Sequence, residues 1–314
     1  MVENPVSKSP FNFACPICHT SLATYGVDTL RCPEDSTVFS KENGVWCFLP
    51  PERQGYYRQF IQEYEFIRQA EGRASTNPAY YRALPFRDLT GRWQKDWSVR
   101  SRSFETLIQH VIEPLEKQHS PVMKILDLGA GNGWLSYQLS KRGHHVAAVD
   151  ILTNDFDGLG TFIHYDASWT PVQAEFDHLP FSNSQVNLII FNASFHYSTD
   201  YAVTLREALR VMTDTGMLVI LDSPVYHDPG SGQQMVLERE TQFKQRYGFA
   251  SNALQSENFL TGQRLHQLAV ELGLHWRIFT PFYGVRWSVR PLLARLRGHR
   301  EPAQFAIISG RRNA

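Results

Sequence analysis

The sequence predicts an α/β fold built on a doubly wound, mostly parallel sheet, with a small ribbon-like unit ahead of it. Three observations carry that expectation. An apolar run, Val122-Met123-Lys124-Ile125-Leu126, ends in Asp127 and leads through Gly129, Gly131 and Gly133 into a helical pattern. A second apolar run, Val146-Ala147-Ala148-Val149, ends in a second acid, Asp150. Strand-like and helix-like patterns then alternate as far as Asp222, as they do in βαβ units.

The first run is continuous, as a strand buried on both faces of a parallel sheet should be. Glycines permit positive φ and let a ligand approach the backbone. In the helix that follows, Leu135 and Leu139 share one face and Gly143 ends it. This layout builds a nucleotide cradle, and Asp150, 17 residues beyond Gly133, stands about where a ribose-binding carboxylate belongs. A nicotinamide dinucleotide fits less well. Its G-x-G-x-x-G fingerprint needs a small residue near position 134, which is Trp134, and Gly133 comes one residue early. Its pyrophosphate would also meet the like charge of Asp127. S-adenosylmethionine carries an ammonium and a sulfonium and meets no such repulsion. A glycine-rich turn without a ligand is the remaining alternative.

With these residues the chain resembles the class I S-adenosylmethionine-dependent methyltransferases, type 11-like. Asp127, Gly129, Ala130, Gly131 and Gly133 match that family's first motif and Asp150 its second, with Ile151 beside it at the cofactor. The resemblance covers roughly residues 121–223 and implies a seven-stranded, Rossmann-like sheet. Pro171-Val172-Gln173-Ala174 is then strand three, and the loop Glu175–Phe181 holds the adenine. Glu175 is expected to take the exocyclic amine and Phe176 to pack the ring, with Asp177 as the competing acid. Asn187–Asn192 resembles strand four, with Asn187 where the family has Asp, and Asn192 is expected to position the methionine end of the cofactor, largely through its backbone. Gly216–Asp222 resembles strand five. His275–Phe279 and Phe305–Ile308 are the expected antiparallel edge pair.

At 314 residues and 42% hydrophobic the chain has ample material for a core, and its net charge of +0 gives no global field toward nucleic acid or membrane. No apolar run approaches a membrane span. The start, Met1-Val2-Glu3-Asn4-Pro5, lacks the plan of a signal peptide. Four unevenly spaced Cys in a chain of this length suggest an intracellular, cytoplasmic protein.

The expected domains are a zinc-ribbon-like unit over 1–50, a helical linker and cofactor lid over 51–120, and the cofactor-binding domain over 121–314 with a lid insertion at about 223–260. Residues 1–10 read as a loose arm. Tyr57, Phe60, Ile61, Tyr64 and Ile67 give one helical apolar stripe, whose usual meaning is core packing. The aromatic segment 75–97 suits either a lid or plain packing. Residues 98–117 read as a helix facing the core through Phe104, Leu107, Ile108, Val111 and Ile112. A helical stretch is expected at 233–246, and a helix from Thr261 to Gly273.

Cys15-Pro16-Ile17-Cys18 can give two thiolates to one zinc, and Cys32-Pro33 begins a second knuckle that lacks its second Cys. Asp35 could ligate through oxygen, Cys47 could close the site from a neighbouring strand, and His19 is a weaker candidate. The unit resembles the zinc ribbon of bacterial rRNA guanine-N1 methyltransferases and the small ribbon protein that activates several methyltransferases. The alternative is a ribbon that has lost its metal and packs Cys as small hydrophobes.

Methyl transfer needs an in-line nucleophile, and a base only where that nucleophile must lose a proton. The ends of strands four and five offer His196 as a base and Tyr197 and Asp222 as substrate contacts, with His227 further out. The basic, aromatic stretch 286–300 could meet RNA phosphates, an anionic lipid surface or an acidic substrate, or be a solvated face. The expected activity is methyl transfer to a small-molecule acceptor, because aromatic residues crowd the site. The alternatives are rRNA or tRNA base methylation and a non-catalytic scaffold that binds S-adenosylmethionine.

Overall fold

The computed structural model describes residues 9–73, 75–118 and 121–313; the arm expected at 1–10 falls outside these as far as residue 8. Four short strands come first: β1 (Ala23–Gly26), β2 (Thr29–Arg31), β3 (Val38–Glu42) and β4 (Val45–Cys47), paired antiparallel in order. Helices α1 (Pro51–Ala70), α2 (Pro78–Ala83) and α3 (Gln94–Leu107) follow. A π-helical turn, Ile108–Ile112, joins α3 to α4 (Glu113–Gln118).

The doubly wound part then runs β5 (Lys124–Leu128), α5 (Trp134–Lys141), β6 (His145–Asp150), β7 (Thr170–Gln173), β8 (Val186–Asn192), α6 (Tyr201–Val211) and β9 (Met212–Leu221). Beyond it lie β10 (Val225–Tyr226), α7 (Pro229–Tyr247), β11 (Leu260–Thr261), α8 (Gly262–Leu272), β12 (Leu274–Phe279), α9 (Val285–Ser288), α10 (Arg290–Leu296) and β13 (Ile307–Arg312). The spatial order is β7-β6-β5-β8-β9-β13-β12, seven strands, with β5 to β9 parallel and the last two antiparallel as expected. The first four strands do not stand apart. β4 pairs parallel with β7 (Trp46↔Val172, Cys47↔Gln173), so one sheet of 11 strands runs from β1 to β12.

The strands alternate between two helical layers, because successive side chains point to opposite faces. Leu126, Leu128, Val149 and Phe191 pack with Tyr201, Leu205 and Ala208 of α6 and Leu265 and Leu268 of α8. Ile125, Val146, Leu188 and Ile190 pack on the other face with Leu135 and Leu139 of α5 and with Phe104, Leu107, Val111 and Ile112. Each such buried aliphatic contributes about 1.5–3 kcal/mol relative to exposure. Helix ends follow local chemistry. The Thr261 hydroxyl accepts from Arg264 N to cap α8, whose other end turns through Gly273 at φ +63°.

The expected stripe on α1 does a different job from core packing. Tyr57, Phe60 and Tyr64 line a cavity, and Ile67 is the member that is deeply buried along with Tyr57. The segment 75–97 is packed through Tyr80, Tyr81 and Trp97, all buried. No helix among the described residues is long and apolar enough to cross a membrane.

Candidate cofactor and acceptor site

After β5 the chain turns at Gly129, with φ +74°. A Cβ there would stand 2.3 Å from the Ser194 Cβ, so both the backbone and the neighbour require glycine. The amides of Gly129 and Ala130 both donate to Val149 O, at 2.7 and 3.1 Å, and tie the turn to β6. Gly131 N donates to Asp150 Oδ2 at 2.8 Å, and Leu152 N donates to Oδ1 at 2.9 Å.

This loop borders a cavity at the carboxyl ends of β5, β6 and β8. The strand order reverses between β5 and β8, the place where open α/β sheets bind ligands. Asp150 and Ile151, Phe176 and Asp177, and the α1 residues Tyr57, Phe60 and Tyr64 line it. A more polar cavity shares Tyr64, Gly129 and Gly131 with it and continues to Arg68, Arg100 and Asn192. A third shares Phe60, Tyr64 and Tyr197 and continues to Arg239, Phe243 and Asn258. Tyr64 borders all three.

Burial pushes the Asp150 carboxyl up to about 6, against the backbone amides that favour its charge. Asp127 is fully buried and pushed up to about 7 by burial; Ser136 Oγ donates to its Oδ2 at 2.7 Å, and its Oδ1 has no partner. Asn192 Oδ1 is likewise buried without a partner. Arg68 is paired with Asp157, Nη2 to Oδ1 at 2.9 Å. Arg100 lies over the Trp97 ring at 5.4 Å and has no hydrogen bond or ion pair among the described residues. These groups fit S-adenosylmethionine. Asp150 could accept from ribose hydroxyls, Phe176 could pack the adenine, Asn192 Oδ1 could accept from the ammonium, and Arg100 could meet the carboxylate.

A profile of the methyltransferase-domain family matches residues 126–220. The chain contains a class I methyltransferase domain. Its curated relatives include malonyl-[acyl-carrier protein] O-methyltransferase 1 of Coxiella burnetii, 29% identical over 115 residues, which are 37% of this chain and 39% of that protein. The ubiquinone biosynthesis O-methyltransferase of Hahella chejuensis is 38% identical over 72 residues, 21% of this chain and 28% of that protein. The matches thus span less than two fifths of these relatives. A solved structure of a putative sarcosine dimethylglycine methyltransferase from Galdieria sulphuraria aligns over 80% of this chain and 98% of its own, with TM-score 0.51 and 18% identity. It shares the fold.

Within the methyltransferase domain, the structure brings Gly129, Gly131, Asp150, Ile151, Glu175, Phe176 and Asp177 to one cavity, and Ala130 and Asn192 to the polar cavity beside it. Gly133, at φ +73°, turns the chain into α5. Asp127 lies behind the loop: its side chain faces Ser136 of α5 and it borders neither cavity. Alternation along β5 sends it to the α5 layer and not to the cavity wall the sequence suggested.

Glu175 also departs from expectation. Arg53 Nε donates to its Oε1 at 2.9 Å, Tyr57 OH donates to its Oε2 at 2.8 Å, and His178 Nδ1 is 3.3 Å away. Burial alone would raise this carboxyl, but His178, Arg53 and Tyr57 outweigh it and hold it down to about 2. Both oxygens are engaged within the protein. Asp177 accepts from the Thr204 hydroxyl and is pushed up by burial.

His196 is a poor base here. Burial and the charges of Arg239 and Arg100 lower it to about 3, and Nδ1 lies 3.3 Å from Ser223 Oγ. Tyr197 stands between the first and third cavities, edge-on to Phe60 and Tyr64. Asp222 takes φ +53° at the end of β9, accepts from Ser103 Oγ, and leaves Oδ2 buried without a partner. His227 is paired with Glu301 at 2.7 Å at the surface.

Cys15, Cys18, Cys32 and Asp35 converge, their ligating atoms all within 4.8 Å of one another. Cys47 stays outside the group and directs its thiol to Val45 O. In the basic stretch, Arg300 pairs with Glu238, and among the described residues Arg286, Arg295 and Arg297 have no carboxylate partner. Sequence reasoning missed Tyr57, Tyr64 and Arg100 as cavity residues, and Arg53 as the partner of Glu175. The stripe on α1 carried the first two, but spacing alone does not distinguish a core from a ligand wall.

Proposed function

We propose that this chain transfers a methyl group from S-adenosylmethionine to a small-molecule acceptor. The observation that carries the reading is the contiguous pair of cavities at the sheet's switch point, one with Asp150 and Phe176, the other with the partnerless Asn192 Oδ1 and Arg100. When bound, the cofactor supplies a methyl on a sulfonium; the acceptor's lone pair forms the new bond as the carbon–sulfur bond breaks.

The chain's own residues orient and exclude. Asp150 takes the ribose, Asp177 the adenine amine and Phe176 the ring. Tyr64 and Tyr197 stand between the cofactor cavity and the chamber that reaches Arg239 and Phe243, where we place the acceptor. Orientation of this kind can contribute about 7–11 kcal/mol to barrier lowering. With His196 lowered to about 3 by burial, we assign the site no histidine base. The acceptor is then one whose nucleophile is already deprotonated or has a free lone pair.

A partly open chamber walled on one side by Phe60, Tyr64, Tyr197 and Phe243 suits a small organic body better than a polymer. Both curated relatives named above are O-methyltransferases, which supports oxygen as the accepting atom. Free cysteines suit a reducing compartment, so we place the protein in the cytoplasm. We retain the division into ribbon, helical segment and cofactor domain.

The test is incubation with methyl-labelled S-adenosylmethionine and cell extract, separated into RNA, protein and small-molecule fractions. Label in the small-molecule fraction is expected. Label in RNA would replace this reading with base methylation. Cofactor binding without transfer into any fraction would favour the scaffold.

A further inference from the structure

Two turns of the amino-terminal meander repeat each other. In the first, Cys15 N donates to Thr20 O at 2.8 Å, His19 N donates back to Cys15 O at 2.9 Å, and His19 takes φ +61°. In the second, Cys32 N donates to Thr37 O at 2.9 Å, Ser36 N donates back to Cys32 O at 3.0 Å, and Ser36 takes φ +62°. The fourth residue of the first turn is Cys18, and that of the second is Asp35. The carboxylate therefore stands where the repeat would otherwise place a thiolate.

The two turns face each other. Cys18 Sγ lies 3.5 Å from Cys32 Sγ, and Cys15 Sγ lies 3.4 Å from Asp35 Oδ2. Tetrahedral zinc, with bonds of about 2.3 Å to sulfur and about 2.0–2.2 Å to oxygen, separates two sulfurs by roughly 3.8 Å and a sulfur from an oxygen by roughly 3.5–3.7 Å. Both contacts come within about 0.3 Å of those separations, and each joins one turn to the other. A disulfide would need about 2.05 Å between sulfurs, which this arrangement does not offer. Asp35 is further fixed by Thr37 N, which donates to its Oδ1 at 2.8 Å and leaves Oδ2 toward the thiols.

The same turns are fastened to the cofactor side of the molecule. Ala14 N, next to the first ligand, donates to Pro180 O at 3.1 Å, and Ser182 N donates to Asn12 O at 3.0 Å. Phe13 packs against Phe181 and Phe48, with ring centroids 5.7 and 5.0 Å away. Phe48 N donates to Gln173 O at 2.9 Å, just before α1 begins. The meander therefore holds residues 173–182 at both ends, and that segment carries Phe176 and Asp177.

We propose that Cys15, Cys18, Cys32 and Asp35 bind one Zn²⁺, and that this metal holds the meander in the form that braces the adenine wall of the cofactor cavity. The first half stands on the ligand geometry alone; the second rests on the cofactor reading above.

The test starts from the full chain purified under reducing conditions. Elemental analysis should find one zinc per chain that survives dialysis. Cobalt exchanged into the site should show a thiolate-to-metal charge-transfer band. That band should strengthen in Asp35→Cys, which completes four thiolates, and Asp35→Ala should bind cobalt more weakly. Zinc removal by a chelator should weaken S-adenosylhomocysteine binding about tenfold, and zinc alone should restore it.

A folded chain with no zinc, no cobalt band and no difference among the Asp35 variants overturns the site. Unchanged S-adenosylhomocysteine affinity after zinc removal overturns the bracing role. Failure of the zinc-loaded chain to bind S-adenosylhomocysteine would instead defeat the methyltransferase reading and leave the metal site standing.

Discussion

Arg53 on α1 and Glu175 beside the cofactor cavity are joined by a two-nitrogen ion pair, with Nε 2.9 Å from Oε1 and Nη2 also on Oε2. The carboxylate is almost fully buried while the guanidinium is about one third exposed, with side-chain exposures of 3% and 34%. The contact spans the step from helix to loop and fixes Tyr57 beside it.

Arg53→Ala should therefore leave a buried carboxylate with its hydroxyl and imidazole partners but no guanidinium. A fully buried pair broken in this way costs about 3–5 kcal/mol, and the partial exposure of Arg53 reduces this to about 1–3 kcal/mol. Urea unfolding measures it. Glu175 is held down to about 2, so its stabilising contribution is complete above the unfolded value of about 4.3 and disappears as pH falls toward 2. The variant should lose part of that acid dependence; an identical stability profile from pH 5 to 2 would contradict the pairing.

Asp150 and Asp127 act in the opposite sense. Both are raised by burial, to about 6 and about 7, above an unfolded value of about 3.9. The folded chain then holds more protons than the unfolded chain across that interval, so these two groups lower the ligand-free stability as pH rises from about 4 to 7. Ribose binding prefers ionised Asp150. S-adenosylhomocysteine affinity, measured by calorimetry, should rise severalfold between pH 5.5 and 7.5, and Asp150→Asn should abolish most of that rise.

Gly129→Ala tests the cradle. The φ of +74° costs an alanine about 1–2 kcal/mol, and a Cβ 2.3 Å from Ser194 adds a steric penalty of about 1–3 kcal/mol. A lower melting temperature and loss of S-adenosylhomocysteine binding are expected. Unimpaired binding would show that the loop does not approach the ligand.

Arg100→Ala separates the two ends of the ligand. S-adenosylhomocysteine has an amino-carboxylate end, and methylthioadenosine lacks it. The variant should bind the first roughly ten- to a hundredfold more weakly, the equivalent of losing a charge-assisted hydrogen bond or two, and the second unchanged. Equal losses for both would assign Arg100 a structural role.

The sheet was legible because buried strands leave continuous apolar runs and the glycine turn punctuates them. Ile125, Val149 and Ile190 fall where the pattern puts them. The helix over 262–272 was legible from its own ends, Thr261 and Gly273. Other features depend on distant partners. Nothing local in Glu175-Phe176-Asp177 reveals that Arg53, 122 residues earlier, occupies the first acid. Alternation could have warned that Asp127 shares a face with Ile125 and so turns away from the loop's ligand side. The three thiols and Asp35 were legible as candidate ligands, and the meeting of the two turns brings those four together while Cys47 stays outside.

The pairing of β4 with β7 has a consequence for how these molecules behave toward one another. An open parallel sheet ends in a row of bare amides and carbonyls that invites a foreign strand. Here that row is covered, and the outermost strand is β1, four residues long and irregular in register between Thr24 and Gly26. So short and uneven a margin is a poor template. Without the first fifty residues the Thr170–Gln173 margin would lie open, and the shortened chain should self-associate in proportion to its concentration.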